Sequence, residues 1–166
     1  MARRQVPVQK PGKSEQSVGT PIDFLDAVRR RFGTIVRDLA ADIDNAVTPR
    51  CITVAGNSLV QPWAEDDPTG LLWLNPPFSD IRPWARKCAV ESKMRHGLIV
   101  MLTPGGVSTN WFHDHVAPNA YVLDLNPRLR FIGHDQDYPK DLILSVFGYG
   151  LVGRAQWQWK ERKAKR

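Results

Sequence analysis

Residues 70–80 read Gly-Leu-Leu-Trp-Leu-Asn-Pro-Pro-Phe-Ser-Asp. A short apolar run stops at Asn75-Pro76-Pro77-Phe78. Neither proline has a backbone N–H, so no strand can keep pairing through them. Their rings stiffen the chain, so the Asn75 side chain and the Pro76 carbonyl face set directions. Each offers an acceptor oxygen, and together they can take both hydrogens of a planar NH2 group. Phe78 adds a ring face for a flat heterocycle. An adenine turned out of a nucleic-acid stack has both features, an exocyclic amine and an aromatic plane. An amine held by its hydrogens aims its lone pair at an electrophile, and this chemistry needs no metal, activated serine or cysteine. The plainer reading of these residues is a stiff turn that ends a strand, with Phe78 in the core.

Other residues with chemical potential are less specific. His113 and His115 flank Asp114, and a His-x-His pair can bind metal. No third ligand stands out, so they read as a surface helix end, and no metal site is expected. Trp157 and Trp159 alternate with cations in Arg-Ala-Gln-Trp-Gln-Trp-Lys. They can stack on bases or dock a strand edge on the core. Cys51 and Cys88 lie far apart and read as small apolar residues in a reducing compartment.

The elements that must position the turn follow from periodicity. Thr20-Pro21 predicts the start of a helix, with Thr20 as cap and Pro21 in the first turn. Ile22, Leu25, Val28 and Phe32 would form its buried face, and Gly33 would end it. Ile35 to Arg37 reads as a strand ending at Asp38. Residues 51–56 are a candidate strand and 61–70 a loop. Leu71–Leu74 is the strand before the turn. Ser79 is placed to cap a helix in which Ile81, Trp84, Ala85, Cys88 and Ala89 recur at helical spacing, with Pro83 tolerated in the first turn. Residues 97–102 are a fully apolar strand, and 108–116 a short helix. Residues 120–125, 128–133 and 141–150 read as three further strands. Strands and helices alternate up to residue 116 and strands follow, which predicts an α/β fold: a mostly parallel sheet with an antiparallel end. Ligands in such sheets sit beyond the strands' carboxyl ends, and Asp38, Asn75 and Thr103-Pro104 would meet there.

The 166 residues suit one domain with its own core. The net charge of +6 is carried by the ends: residues 1–19 hold +3 and residues 154–166 hold +5, leaving −2 between them. The chain therefore divides into a disordered basic arm (1–18), a folded domain (19–153) and a basic tail (154–166). Basic ends on a near-neutral body suit a polyanion, most simply nucleic acid. No apolar run is long enough to cross a membrane and no apolar segment follows the basic N-terminus, so a cytoplasmic protein is expected.

The chain resembles the phage-type DNA adenine-N6 methyltransferases of the Dam family. Asn75-Pro76-Pro77-Phe78 matches the family signature (Asp/Asn/Ser)-Pro-Pro-(Tyr/Phe/Trp). The blocks TPIDFLDAVRRRFG, VRDLAADIDNA, GLLWLNPPFSDIRPWARKCAVES, IVMLTPGGVSTNWFHDHV and PRLRF resemble family blocks in the same order, over about residues 19–150. The resemblance implies a Rossmann-like, S-adenosylmethionine-dependent methyltransferase fold, S-adenosylmethionine as methyl donor and adenine in DNA as acceptor. It implies that Asn75, Pro76, Pro77 and Phe78 hold the base. It places Asp38 at the cofactor, Thr20 and Pro21 near its methionine end, and Asp42 and Asn57 toward its ribose and adenine. Phe78 keeps a stacking face where many relatives have tyrosine. Asn75 replaces the commoner aspartate, and the glycine-rich turn common after the first strand of other methyltransferases is missing. Two alternatives share the turn: methylation of an RNA base or of a protein glutamine amide, whose acceptors are also planar NH2 groups. A third is an inactive relative that binds nucleic acid through its basic ends.

Overall fold

The structure, a computed structural model, describes residues 18–161. Helix α1 (Ile22–Phe32) begins after Pro21, which is extended (φ −62°, ψ 138°) and is the cap residue itself. Its carbonyl accepts the Phe24 and Leu25 N–H groups, each at 3.1 Å. Thr20 makes no cap bond, because it sits one residue upstream of the cap and turns its buried hydroxyl toward Asn75. Phe24, Leu25, Ala27 and Val28 are buried, and Phe32 half-buried. Ile22, expected on this face, is 68% exposed. Burial of Phe24 and Ala27 rotates the core face away from it. Gly33, at φ 103°, ends the helix with a backbone conformation that other residues rarely adopt.

Seven strands follow: β1 (Ile35–Ala41), β2 (Cys51–Thr53), β3 (Thr69–Leu74), β4 (His96–Pro104), β5 (Ala120–Asn126), β6 (Leu142–Phe147) and β7 (Gly153–Gln158). They form one sheet in the order β2-β1-β3-β4-β6-β5-β7. β1 pairs parallel with β2 and β3, and β3 with β4. β6 runs antiparallel to both β4 and β5, whereas β7 is again parallel to β5. The antiparallel component is thus one internal strand, not an end of the sheet. Leu71–Leu74 and all of β6 are buried, as strands covered on both faces must be. One face packs on α1 through Leu71, Trp73, Val100 and Leu144. The other packs on α3 (Arg82–Glu91) and on Trp63 of the short helix α2 (Trp63–Asp66).

Several elements depart from the sequence expectation. β1 continues past Arg37 to Ala41, so Asp38 lies inside the strand, beside a register shift against β2. The candidate strand 51–56 becomes a 3-10 turn after Thr53. The expected loop holds α2, because Trp63 buries completely and its indole N–H reaches the Ser58 carbonyl at 3.0 Å. α3 starts beyond Ser79, with Ile81 in the cap position and Pro83 in the first turn. Residues 128–133 are no strand. Leu129 and Phe131 are buried in alternation, but the backbone bonds go elsewhere: Tyr138 N–H to the Leu129 carbonyl (2.7 Å) and Ile132 N–H to the Gly19 carbonyl (2.9 Å).

The expected basic tail begins inside the sheet. Arg154, in β7, makes two bonds to the Asp124 carboxylate (2.9 and 2.7 Å), and Lys160 reaches Asp23 at 2.6 Å. Trp157 and Trp159 are buried against Phe24, with ring centroids 5.9 and 5.1 Å away. They dock the strand rather than wait for bases. Of the expected arm only Val18 is described, and it packs on the core. Among the described residues no helix is long and apolar enough to cross a membrane.

Phe24 links an inner strand of the sheet to its β7 edge, meeting Trp73 of β3 (6.4 Å) as well as the two tryptophans of that edge. Phe24→Ala should therefore destabilise the fold by about 3–5 kcal/mol. Urea denaturation followed by tryptophan fluorescence checks this.

Candidate active site

The sheet positions the site through one reversal. From β1 the chain places β2 on one side and β3 on the other, and in sheets with such a switch in strand order ligands sit beyond the carboxyl ends of these strands. Asp42 follows β1, Asn57 follows the turn after β2, Asn75 follows β3, and Pro104 ends β4. All four strands are parallel, so these residues share one rim.

Asn75 is half-buried and Pro76 buried. The Asn75 amide nitrogen donates to the Thr20 hydroxyl at 3.4 Å, so its carbonyl oxygen lies on the side of the amide away from Thr20. Thr20, expected as a helix cap, instead accepts from the amide. The Phe78 ring is half-buried on the α1 face and belongs to a three-ring group. Its centroid lies 6.4 Å from Phe131 and 5.9 Å from Tyr138, and those two rings are 5.5 Å apart. Burial pushes the Tyr138 hydroxyl pKa up. Nothing in the sequence pattern marks Tyr138, since its position comes from the backbone bond to Leu129 across an irregular loop. The Gly19–Ile132 bond closes the ring of segments, so residues 18–21, 75–78 and 127–141 converge.

The sequence profile of the DNA N-6-adenine-methyltransferase (Dam) family matches residues 9–142. The chain belongs to this family. No curated protein and no solved structure matches it. The family is one of DNA adenine N6 methylation, and its matched span includes the turn and every strand from β1 to the start of β6.

The remaining predicted site residues fall in two environments. Asp38 is 3% exposed, and its carboxylate accepts the N–H groups of Ala40 (3.2 Å) and Val47 (3.1 Å). Burial raises its pKa, and the two backbone bonds offset only part of this. It shapes the loop after β1 from within. Asp42 is half-buried at the rim, its own N–H bonded to Asn45 Oδ1 at 2.9 Å, and Asn57 is exposed in a left-handed conformation (φ 44°). Sequence reading missed three apolar neighbours on this rim: Ile43, Val54 and Val60 are all exposed. Their exposure is invisible in a sequence, where residue type alone does not tell a wall of a site from core. Pro21 caps α1 beside Thr20.

Other candidates stay outside. His113 Nδ1 lies 3.0 Å from Asp114, and the described residues gather no group of three metal-ligand side chains. Burial pushes the Cys88 thiol up, out of reach of thiolate chemistry.

Two outcomes are expected here. Thr20→Val removes the acceptor for the Asn75 amide and frees it to rotate, so DNA adenine methylation should slow roughly tenfold, about one hydrogen bond's worth. A kinetic assay at matched folded fraction checks this. For Asp38, the raised native pKa means the neutral acid is favoured in the fold. That advantage is complete below the ordinary carboxyl value of 3.8 and is lost as pH rises through the native pKa. Asp38→Asn cannot ionise and turns an N–H toward a backbone donor. It should be less stable than the wild type, with the gap narrowing as pH rises through that window in pH-dependent denaturation.

Proposed function

We propose that this chain transfers a methyl group from S-adenosylmethionine to N6 of an adenine turned out of DNA. The observation that carries the reading is the Asn75 amide at the end of β3, its nitrogen held by Thr20 and its sequence neighbour Phe78 braced on the core. Family membership supports adenine N6 as acceptor over an RNA base or a glutamine amide. The strand order, with its switch point at β1 and one antiparallel strand inside, supports a Rossmann-like methyltransferase fold.

The rim residues fit the cofactor. Exposed Ile43, Val54 and Val60 supply apolar walls near polar Asp42 and Asn57, the mixture a small-molecule site needs. Asp42 and Asn57 would hold the ribose and adenine ends, and Asp38 would fix the loop between them. Thr20 and Pro21 would lie at the methionine end. The bound cofactor supplies an electrophilic methyl group on a sulfonium.

The chain's own residues do the rest. Asn75 Oδ1 and the Pro76 carbonyl accept the two N6 hydrogens, and Pro77 keeps the turn stiff. Phe78, braced by Phe131 and Tyr138, stacks on the base. The clamp draws the hydrogens out of the lone-pair direction and leaves the lone pair facing the rim. As N6 gains positive charge, the two oxygens stabilise it without reorganising. Alignment of the two reactants supplies much of the acceleration. The proton then leaves to water.

DNA binding rests on the surplus positive charge, of which Arg154 and Lys160 are already ion-paired. Methyl transfer from labelled cofactor to unmethylated DNA, with RNA and protein as parallel acceptors, tests the proposal. N6-methyladenine in DNA is expected. Asn75→Ala should abolish it while circular dichroism stays unchanged; unchanged turnover in that variant would defeat the clamp.

A further inference from the structure

A second built feature stands on the same rim. After β4, the Gly105 N–H donates to the Asp141 carbonyl at 2.8 Å. The Gly106 carbonyl accepts both the N–H (2.8 Å) and the hydroxyl (2.6 Å) of Thr109. These bonds close a tight turn over residues 106–109. Trp111 braces it so closely that a Cβ on Gly106 would lie 2.3 Å from its indole Cζ2. Val107 and Ser108 occupy the apex. Val107 is 52% exposed, an apolar side chain among glycine, serine, threonine and asparagine. Leu74 pairs with Met101, so β4 and its turn rise on the strand next to Asn75.

We infer that Val107 is a wedge that enters the duplex where the target adenine leaves it. The inference rests on the proposed methylation of an extruded adenine. Extrusion opens a gap between neighbouring base pairs, and apolar side chains stabilise such unstacked steps by filling them. Val107 suits this work because its turn is fixed by hydrogen bonds before DNA arrives, and its β-branch leaves few rotamers to freeze. Val107 is a positioning residue: it touches neither the amine nor the methyl donor. Its contribution should vanish when the adenine needs no extraction.

The full chain carrying Val107→Ser or Val107→Leu tests this. Methylation would be measured on a duplex and on the same duplex with an abasic position opposite the target adenine. Val107→Ser should lose about tenfold on the intact duplex and little on the abasic one, and Val107→Leu should restore most of the loss. With 2-aminopurine at the methylated position, the rise in fluorescence on binding should shrink in Val107→Ser. An unchanged ratio between the two substrates, while the wild type makes N6-methyladenine, would overturn the wedge alone. No N6-methyladenine from the wild type on either DNA would overturn the functional reading, and the wedge with it.

Discussion

Strand β3 is buried on both faces from Leu71 to Leu74 and then meets two residues that cannot donate a hydrogen bond. That constraint shapes the rest. A buried strand must satisfy its backbone through its neighbours, so β3 holds its register with β1 and β4 until the prolines forbid it. The break falls at the sheet's rim, at the carboxyl end of β3 beside β1. Pro76 is buried and Asn75 half-buried, so the turn is held by the core it leaves. A turn built from flexible residues at the same place would put the same oxygen there only part of the time.

The second requirement is a brace for that turn, and α1 supplies it. Thr20, just before its cap, touches Asn75, its Asp23 pairs with Lys160 beyond β7, and Phe24 spans from Trp73 to the β7 tryptophans. The helix thus couples the outermost strand to the clamp. Gly19 adds a backbone bond to Ile132, which fixes the loop carrying Phe131 and Tyr138. The aromatic group that holds Phe78 is tied to the same few residues that orient Asn75.

Much of this was legible in the sequence, and the misses have physical reasons. The apolar runs 71–74 and 97–102 declared buried strands because they hold no polar side chain that seeks water, and 141–150 read as a strand, of which Leu142–Phe147 forms β6. The Asn-Pro-Pro-Phe turn was legible because proline acts on the backbone locally. The Thr20 cap failed because the hydroxyl had a better partner 55 residues away, and no local rule sees such a partner. Leu129 and Phe131 alternate with arginines as a strand would, but a period of two marks only an extended chain. Here it runs outside the sheet. Trp157 and Trp159 looked available for bases because their charged neighbours dominate the local pattern; burial against Phe24 is a property of the sheet order. Tyr138 and the exposed Ile43, Val54 and Val60 had no sequence signal, because each owes its position to an irregular segment.

The presence of asparagine rather than aspartate at position 75 fits this geometry. A carboxylate would accept the Thr20 hydroxyl proton and present two equivalent anionic oxygens. The amide donates to Thr20 and presents one neutral oxygen in a known direction. A charged acceptor would stabilise the growing positive charge on the amine more strongly. In the proposed reaction it would also need to lose its water on base entry, a far larger cost for a carboxylate than for an amide. The negative charge would further oppose the approach of a polyanion. A neutral oxygen, fixed beforehand by a hydroxyl and two prolines, gives up some electrostatic strength in exchange for placement that does not depend on the ligand.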